Sequence, residues 1–73
     1  MAKTAEEYRE ELLRRLSGDA FLAEKEAAFL TRELPNAETD AIAERMEEQI
    51  EEATLLGEYL RNLAEQIEEI DIF

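Results

Sequence analysis

The sequence predicts an all-α protein, and three observations carry that expectation. Apolar residues recur at helical spacing along nearly the whole chain. No stretch alternates apolar and polar residues with the period of two that marks a half-buried strand. Residues that start and stop helices fall between the periodic segments: Thr4 before the first, Gly18-Asp19 after it, and Pro35-Asn36 before the last. The expected architecture is a helical hairpin or bundle in which two shorter helices pack along one long C-terminal heptad-patterned helix. Residues 1–73 read as one domain, with a homodimer as the expected assembly.

The first helix should run from about Ala5 to Leu16. Thr4-Ala5-Glu6-Glu7 is a capping box, with Thr4 at the N-cap and Glu7 at the third helical position. Ala5, Tyr8, Leu12 and Leu16 form its apolar stripe, with Leu13 beside it. Glu10–Arg14 and Glu11–Arg15 are i,i+4 pairs in the favourable order. Gly18 suits the left-handed position that ends a helix, and Asp19 suits the cap of the next one. The sequence leaves open whether the next helix continues in line with the first or turns back at Gly18.

The second helix should run from about Ala20 to Glu33 or Leu34, stopped by Pro35, because the residue before a proline resists the helical region. Ala20, Ala23, Ala27, Leu30 and Leu34 share one face, Leu22 and Phe29 lie nearly opposite, and Phe21 and Ala28 lie between. A helix apolar on two sides has neighbours on more than one side.

The third helix dominates. Asn36 is its expected cap, and Glu38 and Asp40 suit the positive end of its dipole. It should reach about Ile70, roughly 50 Å at about 1.5 Å per residue. Ile42, Met46, Gln49, Ala53, Leu56, Leu60, Leu63, Ile67 and Ile70 follow one another at alternating steps of four and three. That is a heptad seam with Met46, Ala53, Leu60 and Ile67 at a and the others at d. The e positions, Ala43, Ile50, Gly57 and Ala64, are apolar or small. An a, d, e face suits a helix bundle better than a two-stranded zipper. Gln49 is the polar member of this seam, where a buried polar residue can fix register or oligomeric state.

The chain carries a formal charge of −12, unevenly spread. Residues 1–35 hold six basic and eight acidic side chains; residues 36–73 hold only Arg45 and Arg61 against twelve acidic ones. Glu44, Glu51, Glu58 and Glu65 occupy the f positions, farthest from the seam, and Glu47, Glu48, Glu52, Glu68 and Glu69 widen the stripe. Glu44–Glu48, Glu47–Glu51 and Glu48–Glu52 are like-charged i,i+4 pairs, each costing about 0.2–0.5 kcal/mol. Selection for stability alone would intersperse lysine. Such a stripe is either a solvated face or a surface that occupies a Lys/Arg-lined groove shaped for phosphates.

Chemistry is poorly provided for. The chain has no His and no Cys, removing the commonest general base, the commonest metal ligand and any thiolate site. The Glu residues face outward, so the inward-facing carboxylates of a di-iron bundle are not expected, nor is there an EF-hand loop. Ser17 has no base to activate it and reads as turn chemistry. No enzyme activity, metal or cofactor is expected. No run approaches the roughly 20 apolar residues of a membrane span, and Met1-Ala2-Lys3-Thr4 leads into charged residues rather than a signal peptide. The expected location is the cytoplasm. Direct binding to nucleic acid or to an anionic membrane is not expected of so acidic a chain.

In size and acidity the chain is similar to small phage-encoded inhibitors, including anti-CRISPR and anti-restriction proteins that imitate nucleic acid. The similarity is one of general character, so no functional residue transfers by it. It implies an inhibitor that binds a basic protein, such as a nucleic-acid-binding complex; the charge pattern itself, not the similarity, points to Glu44, Glu47, Glu48, Glu51, Glu52, Glu58 and Glu65 as the contact. The competing expectation is a structural or adaptor module that uses apolar surface. Leu55 and Tyr59, outside the seam, are candidates for that contact, as are Ile72 and Phe73 of the Glu69-Ile70-Asp71-Ile72-Phe73 tail, which either docks back on the bundle or enters a partner's pocket.

Overall fold

The computed structural model describes residues 3–70. Helix α1 spans Ala5–Glu33, a 3₁₀ turn spans Leu34–Asn36, and helix α2 spans Asp40–Glu68. The two helices pack antiparallel, and no strand occurs among the described residues.

The expected break at Gly18 is absent: the first two helices are one. Gly18 keeps a helical backbone, with no positive φ at any described residue, and Asp19 is interior to α1 rather than a cap. Ser, Gly and Asp in a row lower helix propensity, Gly alone by about 1 kcal/mol against Ala. Packing overrides this. Arg9, Leu13, Leu16, Ala20, Ala23, Ala27 and Leu30 face α2 at alternating steps of four and three, passing Gly18 without a slip. A turn at Gly18 would split that row into two unconnected pieces.

The same row corrects the expected stripe of the first segment. Leu13 and Leu16 turn inward, while Tyr8 and Leu12 are 58% and 41% exposed. The capping box forms in part: the Glu7 N–H donates to Thr4 Oγ1 at 3.2 Å, and the Thr4 hydroxyl donates to Glu7 Oε1 at 3.2 Å.

Pro35 ends α1 as expected, through a 3₁₀ turn that contains Asn36. The cap of α2 is therefore not Asn36 but Thr39, whose Oγ1 accepts from the Ile42 N–H at 3.1 Å. Asn36 is drawn instead toward Glu33, its Nδ2 3.4 Å from Oε2.

The inward line of α2 is also rotated from the expected one. Ala43, Met46, Ile50, Ala53, Gly57, Leu60, Ala64 and Ile67 are buried or half-buried, which are the a and e positions. Of the d positions only Leu63 is half-buried; Gln49 is exposed, and Ile42, Leu56 and Ile70 are 44%, 51% and 36% exposed. Two physical reasons favour the a/e seam. Gly57 sits beside Ala20 and Ala23 of α1, and a Cβ built on it would lie 3.7 Å from the Ala20 carbonyl oxygen. Small residues on both sides thus let the helices approach closely. A d seam would instead bury the Gln49 amide without a partner, at a cost of about 1–3 kcal/mol. Gln49 therefore does not set register within the hairpin.

The resulting core is thin. Its buried apolar side chains are Leu16, Ala20, Ala23 and Ala53. The molecule measures 54 × 22 × 14 Å, little thicker than a single helix of about 10–12 Å.

Candidate interaction surfaces

The hairpin has two faces and two outer edges, and side-chain contacts across the helices tell the faces apart. On one face Arg61 forms a two-point ion pair with Glu24, Nε to Oε2 and Nη2 to Oε1, each at 2.7 Å. The pair holds the Glu24 carboxyl below its usual range, chiefly through the hydrogen bond from Arg61, and raises the Arg61 guanidinium correspondingly. Both side chains are about half exposed, so the pair is solvent-screened and adds little stability.

The opposite face is different. There Glu26 of α1 and Gln49, Glu52, Ala53 and Leu56 of α2 line one shallow groove of about 250 Å³. Residues seven apart share a line on a packed helix, so Leu12 and Asp19 lie on the same edge as Glu26. Tyr8, Arg15, Leu22 and Phe29 form the next line out. On α2 the d positions, Ile42, Gln49, Leu56, Leu63 and Ile70, border this face, with Tyr59 one turn from Leu56 and Leu63. Leu22, Phe29 and Tyr59 are 64%, 53% and 63% exposed. Most of the exposed large apolar side chains of the hairpin therefore share one face. A shallow recess formed by Tyr8, Glu11, Leu12 and Arg15 lies at its N-terminal end.

The acidic stripe lies on the outer edge of α2, away from α1. Glu44, Glu47, Glu48, Glu51, Glu52, Glu58 and Glu65 are all exposed. With the a/e seam inward, the line opposite α1 is that of Glu48 and Leu55; Glu44, Glu51, Glu58 and Glu65, expected farthest from the seam, lie beside it toward the Arg61 side, spaced by about 10 Å along the axis. Glu47 lies toward the Arg61 side and Glu52 toward the Tyr59 side. The ion pairs found among the described residues, Lys3–Glu11 and Arg61–Glu24, use none of these seven. Glu11, by contrast, is held below its usual range, first by the hydrogen bond from Lys3 and also by the charge of Lys3. A groove of about 310 Å³ formed by Ala41, Glu44, Arg45, Glu48, Gln49 and Glu52 marks the N-terminal part of the stripe.

The helical register separates two residues expected to act together. Tyr59 borders the broad apolar face, whereas Leu55, 57% exposed, lies farther round on the outer edge among the glutamates. Phe21, 53% exposed, is on the far side of α1 with the Lys25 ammonium 5.3 Å from its ring centre. Ile72 and Phe73 lie outside the described residues. The broad apolar face was the surface not assembled from sequence. Its signal was the seven-residue recurrence Tyr8, Arg15, Leu22, Phe29 on α1, legible only once that helix is continuous.

Among the described residues no group of three or more His, Cys, Asp or Glu side chains is placed to hold a metal ion. No helix among them is long and apolar enough to cross a membrane. No protein-family model matches the chain, and no curated protein or solved structure matches it either.

Proposed function

We propose that this protein is a non-enzymatic binding protein whose α2 outer edge occupies a basic surface of another protein, of the kind that otherwise holds a nucleic-acid backbone. One observation carries the reading: seven glutamates are exposed along the outer half of α2, a 29-residue helix, and none is engaged in an ion pair among the described residues. A groove that neutralises phosphates gains from each anion it meets. Carboxylates on a preformed helix present that charge with their backbone already ordered, so less entropy is lost on binding. The outcome would be inhibition, because the groove is then closed to its nucleic acid.

The test is capture on immobilised protein, followed by elution with salt or with duplex DNA. The reading expects a basic, nucleic-acid-binding partner that salt releases steeply, that duplex DNA displaces, and that the variant carrying Glu44→Lys, Glu48→Lys, Glu51→Lys and Glu58→Lys fails to hold. Retention by that variant would sink the idea.

A second reading rests on the broad apolar face: a structural or adaptor module that associates through Leu22, Leu56 and Tyr59. It expects binding that is insensitive to salt and lost in Tyr59→Asp. A folded Tyr59→Asp protein that binds its partner as the parent does would exclude it.

A further inference from the structure

We infer that the broad apolar face is covered by a second copy of this chain, forming a four-helix bundle in which Leu22 and Leu56 meet their own copies and Arg15 reaches Glu26 of the other protomer. This does not depend on the proposed role of the acidic edge.

The first argument is area. The hairpin exposes 5968 Å². A compact protein of its 8.4 kDa exposes about 4,600 Å² by the usual scaling with mass. The excess, roughly 1,400 Å², exceeds the ~800 Å² that each partner contributes to a standard interface. The radius of gyration agrees: 16.8 Å, against about 11 Å for a compact chain of this length. A domain closes its core between two layers. This hairpin is one layer, 14 Å thick, and its exposed large side chains are concentrated on one side of it. A second identical layer supplies what is missing.

The second argument is charge, and it selects the arrangement. Arg9 lies beside Glu68, Gly57 beside Ala20 and Ala23, and Glu26 beside Gln49 and Glu52. These contacts place Leu56 level with Leu22, near the middle of the long axis. Arg15 lies about 10 Å from Leu22 toward one end, and Glu26 with Glu52 about 6 Å toward the other, at about 1.5 Å per residue. Two layers can meet face to face about a two-fold axis that runs either along the helices or across them. The axis along the helices keeps levels matched and sets Glu26 of one copy against Glu52 of the other. The axis across the helices reverses the levels. It lays α1 on α1 and α2 on α2, carries Arg15 toward Glu26 of the second copy, twice by symmetry, and brings Ile70 toward the second copy's Ile42. Like charges are separated, opposite charges meet, and the glutamates of the f positions stay outward.

The experiment is sedimentation equilibrium of the 73-residue chain at moderate salt, with helicity followed by circular dichroism. At about 50 μM, well above the dissociation constant of a standard interface, the expected mass is twice 8.4 kDa. Leu56→Glu should give a helical monomer, and Phe21→Glu, on the opposite face, should leave the dimer intact. Arg15→Glu should weaken dimerisation at least about tenfold. Adding Glu26→Arg to Arg15→Glu should restore it, because the pairing is then reversed rather than lost. A wild-type monomer at this concentration overturns the inference. So does a dimer indifferent to Leu56→Glu or Arg15→Glu, or a monomer produced by Phe21→Glu.

Discussion

Arg9 of α1 donates from Nη2 to the carbonyl oxygen of Glu68 at 2.7 Å. That carbonyl belongs to the last turn of α2, where the backbone has no helical donor left to meet it. The guanidinium supplies both a donor and a positive charge at the negative end of the helix dipole, in a turn that carries no basic residue of its own. Its Nε is buried without a hydrogen-bond partner among the described residues. Arg9→Ala should therefore cost about 1–2 kcal/mol, read as a lower urea midpoint. Arg9→Met, which keeps the packing stem, should lose nearly as much; if it loses nothing, the residue acts only by packing.

The two glycines should respond differently to the same change. A Cβ on Gly18 meets nothing within 4 Å, so Gly18→Ala should stabilise the hairpin by about 0.5–1 kcal/mol. A Cβ on Gly57 comes within 3.3 Å of Glu24 Cγ. Glu24 must give way and disturb its pair with Arg61, so Gly57→Ala should gain less than Gly18→Ala. Gly57→Leu should force the helices apart, at a cost of about 1–3 kcal/mol or more. Thermal melts of the three variants check the order.

Capping provides a second contrast. Thr39→Ala removes the acceptor for the Ile42 N–H and should cost about 1 kcal/mol. Asn36→Ala, at the position first expected to cap, should cost distinctly less. Chemical denaturation of the pair separates the two.

Acid should act on the Arg61–Glu24 pair in a defined direction. The Glu24 carboxyl is lowered from the ordinary value of 4.5 by its hydrogen bond with Arg61. A lowered folded-state value contributes stability above pH 4.5 that is lost as pH falls through the folded value. The effect is small because both groups are about half exposed. Glu24→Gln should flatten the dependence of stability on pH below about 4.5, as followed by circular dichroism in urea. An unchanged acid limb would show the pair to be thermodynamically silent.

The helical class, the start at Thr4 and the stop at Pro35 were legible because each depends on neighbours in sequence. Continuity through Ser17-Gly18-Asp19 was not, because local propensity argues for a break and the distant row of α2 argues against it. The heptad of α2 was legible but its phase was not. Met46, Ala53, Leu60 and Ile67 belong to both the a/d and the a/e seam. What decides between them is the closeness allowed by Gly57, Ala20 and Ala23, a property of two helices together. The exposure of the seven glutamates was legible because it needs only the a positions to face inward.

The single turn between Leu34 and Thr39 also governs how the hairpin can fold. Contacts beside it join residues close in sequence, so closing them costs little chain entropy. Each layer of the seam, once formed, brings the next pair within reach, and the helices can close like a zipper from the Pro35 end. The Arg9–Glu68 bond, spanning 59 positions, is then the last to form and the first to open. Amide protection should accordingly decline from the turn toward the open end of the hairpin.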